Sequence, residues 1–484
     1  MLSLPFRSAK QLASLIRQKK IGCLELLDLY LKRVEQYNPK LNAIIFKDVE
    51  GARKRAKMAD RALARKEVWG PLHGVPMTIK ESFDVAGMPT TWGVPLYRDN
   101  YAQKNSLAVD RLLKAGVILF GKTNVPLYLG DWQSFNEIYG TTNNPWNVTR
   151  VPGGSSGGSA AALAAGLTGI DAGSDIGASI RNPAHYCGVY GHKPTYGVCS
   201  PRGHALPGVV AVGDISAIGP MARSAGDLAI GLAAMAGPDL IDGIGWQLHL
   251  PGPAKKQLRE YKVSVVYTDP EAEVDEEVQK GIRAAADFLR KNKAKVVEDA
   301  RPAFGSGEAF RNYVQLLRSA TSGRLTLEQF QKNLAAFNTL ESDDNSYQAQ
   351  AIRAQAMYHK DWLAYNEGRH KMRLAWAEFF KEYDLLLCPT ATTAAFPHNQ
   401  KGERWERMIM VNGNPQPSTT QMFWAGYSCN FYLPSTIAPA GFTTEGLPVG
   451  VQIVGPQYGD YTCIYFAQLL EKDFQPFVSP PGFE

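Results

Sequence analysis

Residues 151–183 read VPGGSSGGSAAALAAGLTGIDAGSDIGASIRNP, and a short apolar run ending in lysine, GVPMTIKES, stands upstream at 74–82. In the longer stretch a loop of glycines and serines opens the small-residue helix AALAAGL (161–167), and a further run, LTGIDAG (167–173), follows it. VPMTIK (75–80) reads as a strand. A helix over about 106–115 leads into the strand VILF (117–120). The pattern recurs at 262–298, where VSVVY and AKVVE flank a helix running from about 273 to 292. DLLLC (384–388) and VGVQIV (449–454) are further apolar runs. Strands that alternate with helices, and are themselves nearly all apolar, imply a sheet covered on both sides. The expected class is α/β: a mostly parallel, mixed β-sheet core with helices on both faces.

Outside this region the first 70 residues read as helical. Ser8 can cap a helix that Gly22 ends. A second helix places Leu26, Leu27, Tyr30, Leu31, Val34 and Tyr37 on one face. LNAIIF (41–46) is a short strand, and 49–66 is a basic, alanine-rich helix. Residues 304–380 are helical and polar, and no fixed-period repeat is visible. The organisation expected is one unit over 1–484: a helical N-terminal part (1–70), a core (71–230), a variable helical insertion (231–383) and a C-terminal return to the core (384–484).

The chain has 484 residues, 45% of them hydrophobic and 20% charged, which excludes a disordered chain, a collagen or a coiled coil. Its 45 glycines and 30 prolines are scattered among apolar runs, as loop punctuation is. A net charge of +6 without a run of like charges describes a mixed solvated surface, so no nucleic-acid partner is expected. Cys23, Cys187, Cys199, Cys388, Cys429 and Cys463 are isolated and form no C-x-x-C pair, which fits a reducing compartment. The N-terminus MLSLPFRSAKQLASLIRQKK lacks the apolar stretch of a secretory signal, and no segment reaches 18 apolar residues. The location expected is cytoplasmic, away from membranes.

Three motifs compete for the chemistry. Gly116–Thr123 fits G-x-x-x-x-G-K-T, but its four variable positions are Val-Ile-Leu-Phe. A phosphate cradle needs a polar turn of converging N–H groups, and Asn124-Val125-Pro126 resists the helix that should follow. Gly154–Gly158 fits G-x-S-x-G, but a loop precedes it where a nucleophile elbow requires a strand. The third is a constellation of Lys80, Ser155 and Ser179, the last 24 residues beyond Ser155. Gly177 and Ala178, immediately before Ser179, let the backbone approach closely, so that consecutive N–H groups can face one point. Lys80 ends an apolar run, where burial disfavours its charge.

The histidines His73, His185, His192 and His204 show no metal-ligand spacing. One of them with Asp171 or Asp175 could complete a triad, although a loop histidine is more often structural. Ser156 and Ser159 read as caps of the following helix. Ser174, Asp175 and Arg181 read as a hydrogen-bonded brace for the loop, and Asp131 as a residue near the pocket. Trp132, Phe135, Tyr139, Phe423, Trp424 and Tyr427 read mainly as core, with some left over to line a pocket.

The blocks GVPMTIKESFDVAG (74–87), GTTNNPW (140–146), VPGGSSGGSAAALAAG (151–166), GSDIGASIRNPAHYCGVYGHKPTYG (173–197) and STIAPAGFTTEGLPVGVQIVGP (435–456) together resemble the amidase signature family. The resemblance implies the amidase signature fold and a Ser-cis-Ser-Lys triad. Ser179 would be the nucleophile that forms the acyl-enzyme, Ser155, preceded by a cis peptide, the bridge, and Lys80 the base. Ile176, Gly177, Ala178 and Ser179 would supply the oxyanion-hole N–H groups, and Leu129 a main-chain contact to substrate. Two positions depart from the family pattern. Ala178 stands where glycine is usual, which limits positive φ, and Glu81 stands where aspartate commonly follows the lysine. The resemblance implies hydrolysis of a small-molecule carboxylic amide, with esters and carbamates possible, and no metal or organic cofactor. A homodimer is left open. The rival readings are the glutamine-hydrolysing A subunit of a tRNA-dependent amidotransferase and an inactive scaffold, against which the retained triad argues.

Overall fold

The computed structural model describes residues 3–484, so the part of the N-terminal reading that falls on Met1 and Leu2 lies outside the described residues. Helix α1 (Ala9–Arg17) is opened by a capping box: the Ser8 hydroxyl accepts from Gln11 N, and the Gln11 side chain accepts from Ser8 N. It stops at Arg17, short of Gly22, which begins α2 (Cys23–Leu41) instead of ending the first helix. In α2 the face formed by Leu26, Leu27, Tyr30, Leu31 and Val34 is buried, as its spacing predicts.

Strand β1 (Ile44–Lys47), helix α3 (Val49–Ala64), strand β2 (Pro76–Lys80), helix α4 (Leu107–Lys114) and strand β3 (Ile118–Thr123) follow. These strands form a small sheet ordered β1-β3-β2, with β3 antiparallel to β1 and parallel to β2. The apolar Ile118–Phe120 of the phosphate-loop-like motif lies inside β3, and Lys122 is buried, donating to the carbonyls of Glu81, Phe83 and Pro89. It is a structural lysine.

After the ribbon β4 (Phe135–Asn136) and β5 (Gly140–Thr141) come α5 (Gly157–Ala164), β6 (Asp171–Asp175), α6 (Arg181–Cys187), β7 (Tyr190–Lys193), β8 (Ala217–Ala222) and α7 (Ala225–Met235). Strand β9 (Lys262–Val265), helix α8 (Glu276–Lys291) and strand β10 (Lys295–Glu298) realise the second alternation. Helices α9 (Ser306–Ala320), α10 (Leu327–Phe337), α11 (Tyr347–Gln355) and α12 (His359–Glu382) fill the polar helical stretch. The chain closes with β11 (Leu385–Pro389), the hairpin β12 (Met408–Val411) and β13 (Asn414–Pro417), α13 (Met422–Cys429), β14 (Ser435–Phe442), β15 (Pro448–Val454) and α14 (Asp460–Asp473).

The large sheet has eight strands in the order β10-β9-β11-β15-β14-β7-β8-β6. Helices cover both faces. Gly450 of β15 faces His185 of α6, while its neighbour Val449 meets Gly281 of α8, and adjacent residues of a strand point to opposite sides. The α/β class and the mixed, two-faced sheet are as the sequence implies. The parallel majority is not. Of the seven neighbour pairings only β10–β9 and β9–β11 are parallel, and the other five are antiparallel. An uninterrupted apolar run reports burial on two faces, whichever way the neighbouring strand runs. Strands such as β15, buried along its whole length between antiparallel partners, therefore carry the same signature as a parallel strand.

Candidate active site

Lys80 is the last residue of β2, and the neighbouring bridge between Met77 and Ile170 brings β2 against the chain entering β6. Its side chain is wholly buried. The amine Nζ lies 2.6 Å from Ser155 Oγ and 2.9 Å from Ser174 Oγ. Ser155 sits in the loop before α5, and the Gly154–Ser155 peptide is cis. Ser179 lies in the turn between β6 and α6, and its carbonyl accepts from Ser156 N at 3.1 Å, so the two serine loops touch through the main chain. Ser155 is 1% exposed and Ser179 5%. Burial pushes the Lys80 ammonium down to about 7, against a smaller upward pull from Asp175 and Asp171.

The loop before Ser179 is braced from several directions. Asp175 accepts from the amides of Ala178 (2.9 Å) and Ile180 (3.1 Å), and from Arg181 through Nε and Nη2, both at 2.9 Å. Burial would raise this carboxyl, but the Arg181 guanidinium holds it at about 2. Arg181 in turn donates to Ala425 O and to Gln452 Oε1. Tyr313 Oη donates to Ile176 O (2.9 Å) and Trp132 Nε1 to Gly177 O (2.8 Å).

Ala178 adopts φ +65°, the left-handed region that glycine enters freely and a side chain enters at a cost of about 1 kcal/mol. Its N–H is committed to Asp175, which removes it from the four donors expected of the oxyanion loop. The amides of Ile176, Gly177 and Ser179 donate to no group among the described residues. They are free to donate to a bound group.

Other residues singled out in the sequence fall into place by contact. Asp131 does not present a free carboxylate, because Arg407 Nη1 lies 2.5 Å from its Oδ2. Its carbonyl instead abuts Gly154 beside the cis peptide. Leu129, φ +56°, belongs to the turn 127–129 in front of Asp131. Ser156 begins α5 without a side-chain cap, and the Ser159 hydroxyl lies 2.8 Å from Thr123 Oγ1, so neither caps by its side chain. Glu81 accepts from the amides of Thr91 (2.5 Å) and Trp92 (2.9 Å) and is structural.

No histidine bonds either serine. His204 Nε2 lies 2.9 Å from Ser82 Oγ, His185 joins Thr393 O and Gly450 N, His192 joins Thr436 and Asp460, and His73 joins Trp69 N and Ala59 O. Asp171 accepts from Thr78 Oγ1 at 2.6 Å, and burial pushes it up to about 8. Phe423, Trp424 and Tyr427 pack against one another, and Trp376 of α12 joins them through Tyr427, whereas Trp132 reaches the oxyanion loop. Among the described residues no group of three His, Cys, Asp or Glu could hold a metal ion, and no helix is long and apolar enough to cross a membrane.

Sequence reasoning missed Tyr313 as a direct support of the site, and also Arg318, Arg324 and Arg404, while Ser174, read as a brace of the loop, bonds Lys80. Ile176 and Arg324 line one cleft with Trp92 and His204, with a volume of about 540 Å³. No local signal marks these arginines, because they lie in segments that carry no motif.

Comparison with known proteins gives a consistent outcome. The Amidase family model matches residues 25–464. The A subunit of a glutamyl-tRNA(Gln) amidotransferase from Synechococcus sp. is 32% identical, over 96% of this chain and 96% of its own. An indoleacetamide hydrolase from Bradyrhizobium diazoefficiens is 30% identical over 96% of this chain and 86% of its own. Among solved structures, a bacterial aryl acylamidase of the amidase signature enzymes superposes with a TM-score of 0.81 at 23% identity, covering 97% of this chain and 96% of that one, a likeness of fold.

Proposed function

The chain belongs to the amidase family, and from that premise we propose that it is a free-standing hydrolase of carboxylic amides working through Ser179, Ser155 and Lys80. The observation that carries this reading is the buried Lys80 amine, 2.6 Å from Ser155 Oγ and depressed to about 7. A lysine neutral at working pH can act as a base without a histidine.

Ser179 Oγ attacks the amide carbon. Its proton passes to Ser155 Oγ as the Ser155 proton passes to Lys80 Nζ. The carbonyl oxygen takes up the negative charge opposite the N–H groups of Ile176, Gly177 and Ser179, and each such donor is worth about 10²–10³ in rate. The relay then runs backwards: Lys80 returns its proton through Ser155 to the leaving nitrogen, the C–N bond breaks, and the acyl group remains on Ser179 as an ester. Water, deprotonated by the same relay, attacks the ester and releases the carboxylic acid. The steps balance without a metal or an organic cofactor.

Ser179→Ala should abolish turnover, and phenylmethanesulfonyl fluoride should label Ser179. Mass-spectrometric labelling of Ser156 with Ser179 untouched would overturn the assignment. The similarity, along nearly the whole chain, to the A subunit of an amidotransferase keeps a second reading in view, that of a glutamine-hydrolysing component of a complex. Assaying the chain purified alone separates the two: release of amine from simple aryl and alkyl amides supports the hydrolase, and ammonia from glutamine only in the presence of partner proteins supports the other.

A further inference from the structure

Helix α9 carries Tyr313, which pins Ile176 O, and five residues further on it carries Arg318. A short turn later, Arg324 Nη1 donates to Tyr128 O at 2.8 Å, with its guanidinium 5.4 Å from the centre of the Trp92 ring. Arg404, between β11 and β12, donates to Gly130 O. Arg318 Nε donates to Tyr347 Oη at 2.8 Å. Arg324 and Arg404 thus meet residues 128–130 from two separate stretches of chain, Arg324 shares a cleft with Ile176, and Arg318 lies close enough for its charge to act on both. Asp131 lies among them, but Arg407 already takes its carboxylate.

None of the three arginines forms an ion pair among the described residues. Each is held by neutral oxygens, and each keeps N–H donors without a partner. Burial, reinforced by the charge of Arg318, pushes Arg324 down to about 10 and lowers Arg404 as well. Like charges crowded in a half-buried place, with the carboxylate of Asp131 already paired to Arg407, are costly to the folded protein. A planar carboxylate supplies the missing charge and matches the guanidinium fork.

We propose that Arg318, Arg324 and Arg404 form an anion-binding rim at the active site, selecting amides whose acyl or amine part carries a carboxylate. This rests on the hydrolase reading above. The rim stands beside the oxyanion loop, so it would hold the charged end of a substrate while Ser179 meets the amide. The chain's preference is thereby for acidic amides over neutral ones of equal size.

The test compares the full chain on glutaric mono-4-nitroanilide and its neutral counterpart pentanoic 4-nitroanilide, and on N-acetyl-4-aminobenzoate and acetanilide. In at least one pair the acid should have a kcat/KM at least tenfold higher, mainly through KM. Arg404→Gln and Arg318→Gln should each lower that ratio about tenfold. Glutarate, but not glutaramide, should slow sulfonyl fluoride labelling of Ser179 and raise the melting temperature, and Arg404→Gln should weaken both effects. Neutral and acidic amides cleaved equally, with no protection by glutarate, would overturn the rim and leave the triad standing. No hydrolysis of any amide and no label on Ser179 would sink the triad instead, and the glutarate melting shift in parent and Arg404→Gln would still decide the rim.

Discussion

Replacing Lys80 with methionine should abolish amide turnover and yet stabilise the protein at neutral pH. The folded amine titrates near 7, against 10.5 for a lysine in water. Between those values the unfolded chain holds a proton that the folded chain lacks. The contribution of this group to stability is therefore lowest below pH 7 and recovers as pH rises towards 10.5. At about 1.4 kcal/mol per pH unit the whole difference is about 4–5 kcal/mol. Methionine carries no such penalty. Against this gain, Ser155 and Ser174 lose the amine that lies 2.6 and 2.9 Å away, and each unmet hydroxyl costs about 1 kcal/mol. The net gain expected at pH 7 is about 2 kcal/mol, and it should vanish or reverse near pH 10. Urea unfolding of parent and Lys80→Met at pH 7, 8.5 and 10 measures it. A variant less stable than the parent at pH 7, or a difference that does not change with pH, refutes the reasoning. The same titration sets the rate: kcat/KM on an amide should climb about tenfold per pH unit below 7 and flatten above it. An unperturbed lysine would carry the climb past pH 10, and Lys80→Arg, protonated throughout, should stay inactive.

Gly154→Ala should lose activity and several degrees of melting temperature, because its Cβ would lie 2.2 Å from the carbonyl oxygen of Asp131, part of the backbone. Gly177→Ala, whose Cβ meets the flexible tip of Met422 at 2.8 Å and Tyr313 Oη at 3.4 Å, should melt within about 1 kcal/mol of the parent, and calorimetry of the two variants checks the contrast. Ala178→Val forces a β-branched side chain to a φ of +65°, so kcat should fall by at least an order of magnitude while KM for a neutral amide moves less. Arg181→Met leaves Asp175 buried and unpaired and should destabilise by about 3–5 kcal/mol, read as a drop in urea midpoint.

The elements that carry the site were legible because local chemistry decides them. β2 ending at Lys80, the small-residue entry to α5 and the tight turn before Ser179 all follow from neighbours in sequence. Asp131 shows where that legibility stops. The sequence suggests a residue near a pocket, but its ion pair with Arg407 joins residues 276 positions apart and could not be read from either. Ser159 is similar: a serine at a helix start suggests a cap, and only the packing of α5 on β3 turns its hydroxyl to Thr123. Strand direction was hidden for a different reason, since burial on both faces erases the alternation that marks an antiparallel strand.

Asp175 and Arg181 tie the turn before Ser179 to Ala425, Cys429 and Gln452, which lie near the other end of the chain. During synthesis the serines and the lysine emerge well before those partners. The nascent chain therefore holds the three residues of the proposed triad long before it holds the partners that brace the turn before Ser179. Hydrolytic competence should appear late and all at once, as α13 and β15 dock. A fragment ending at residue 420 would carry Lys80, Ser155 and Ser179 and should fail to take a sulfonyl fluoride label.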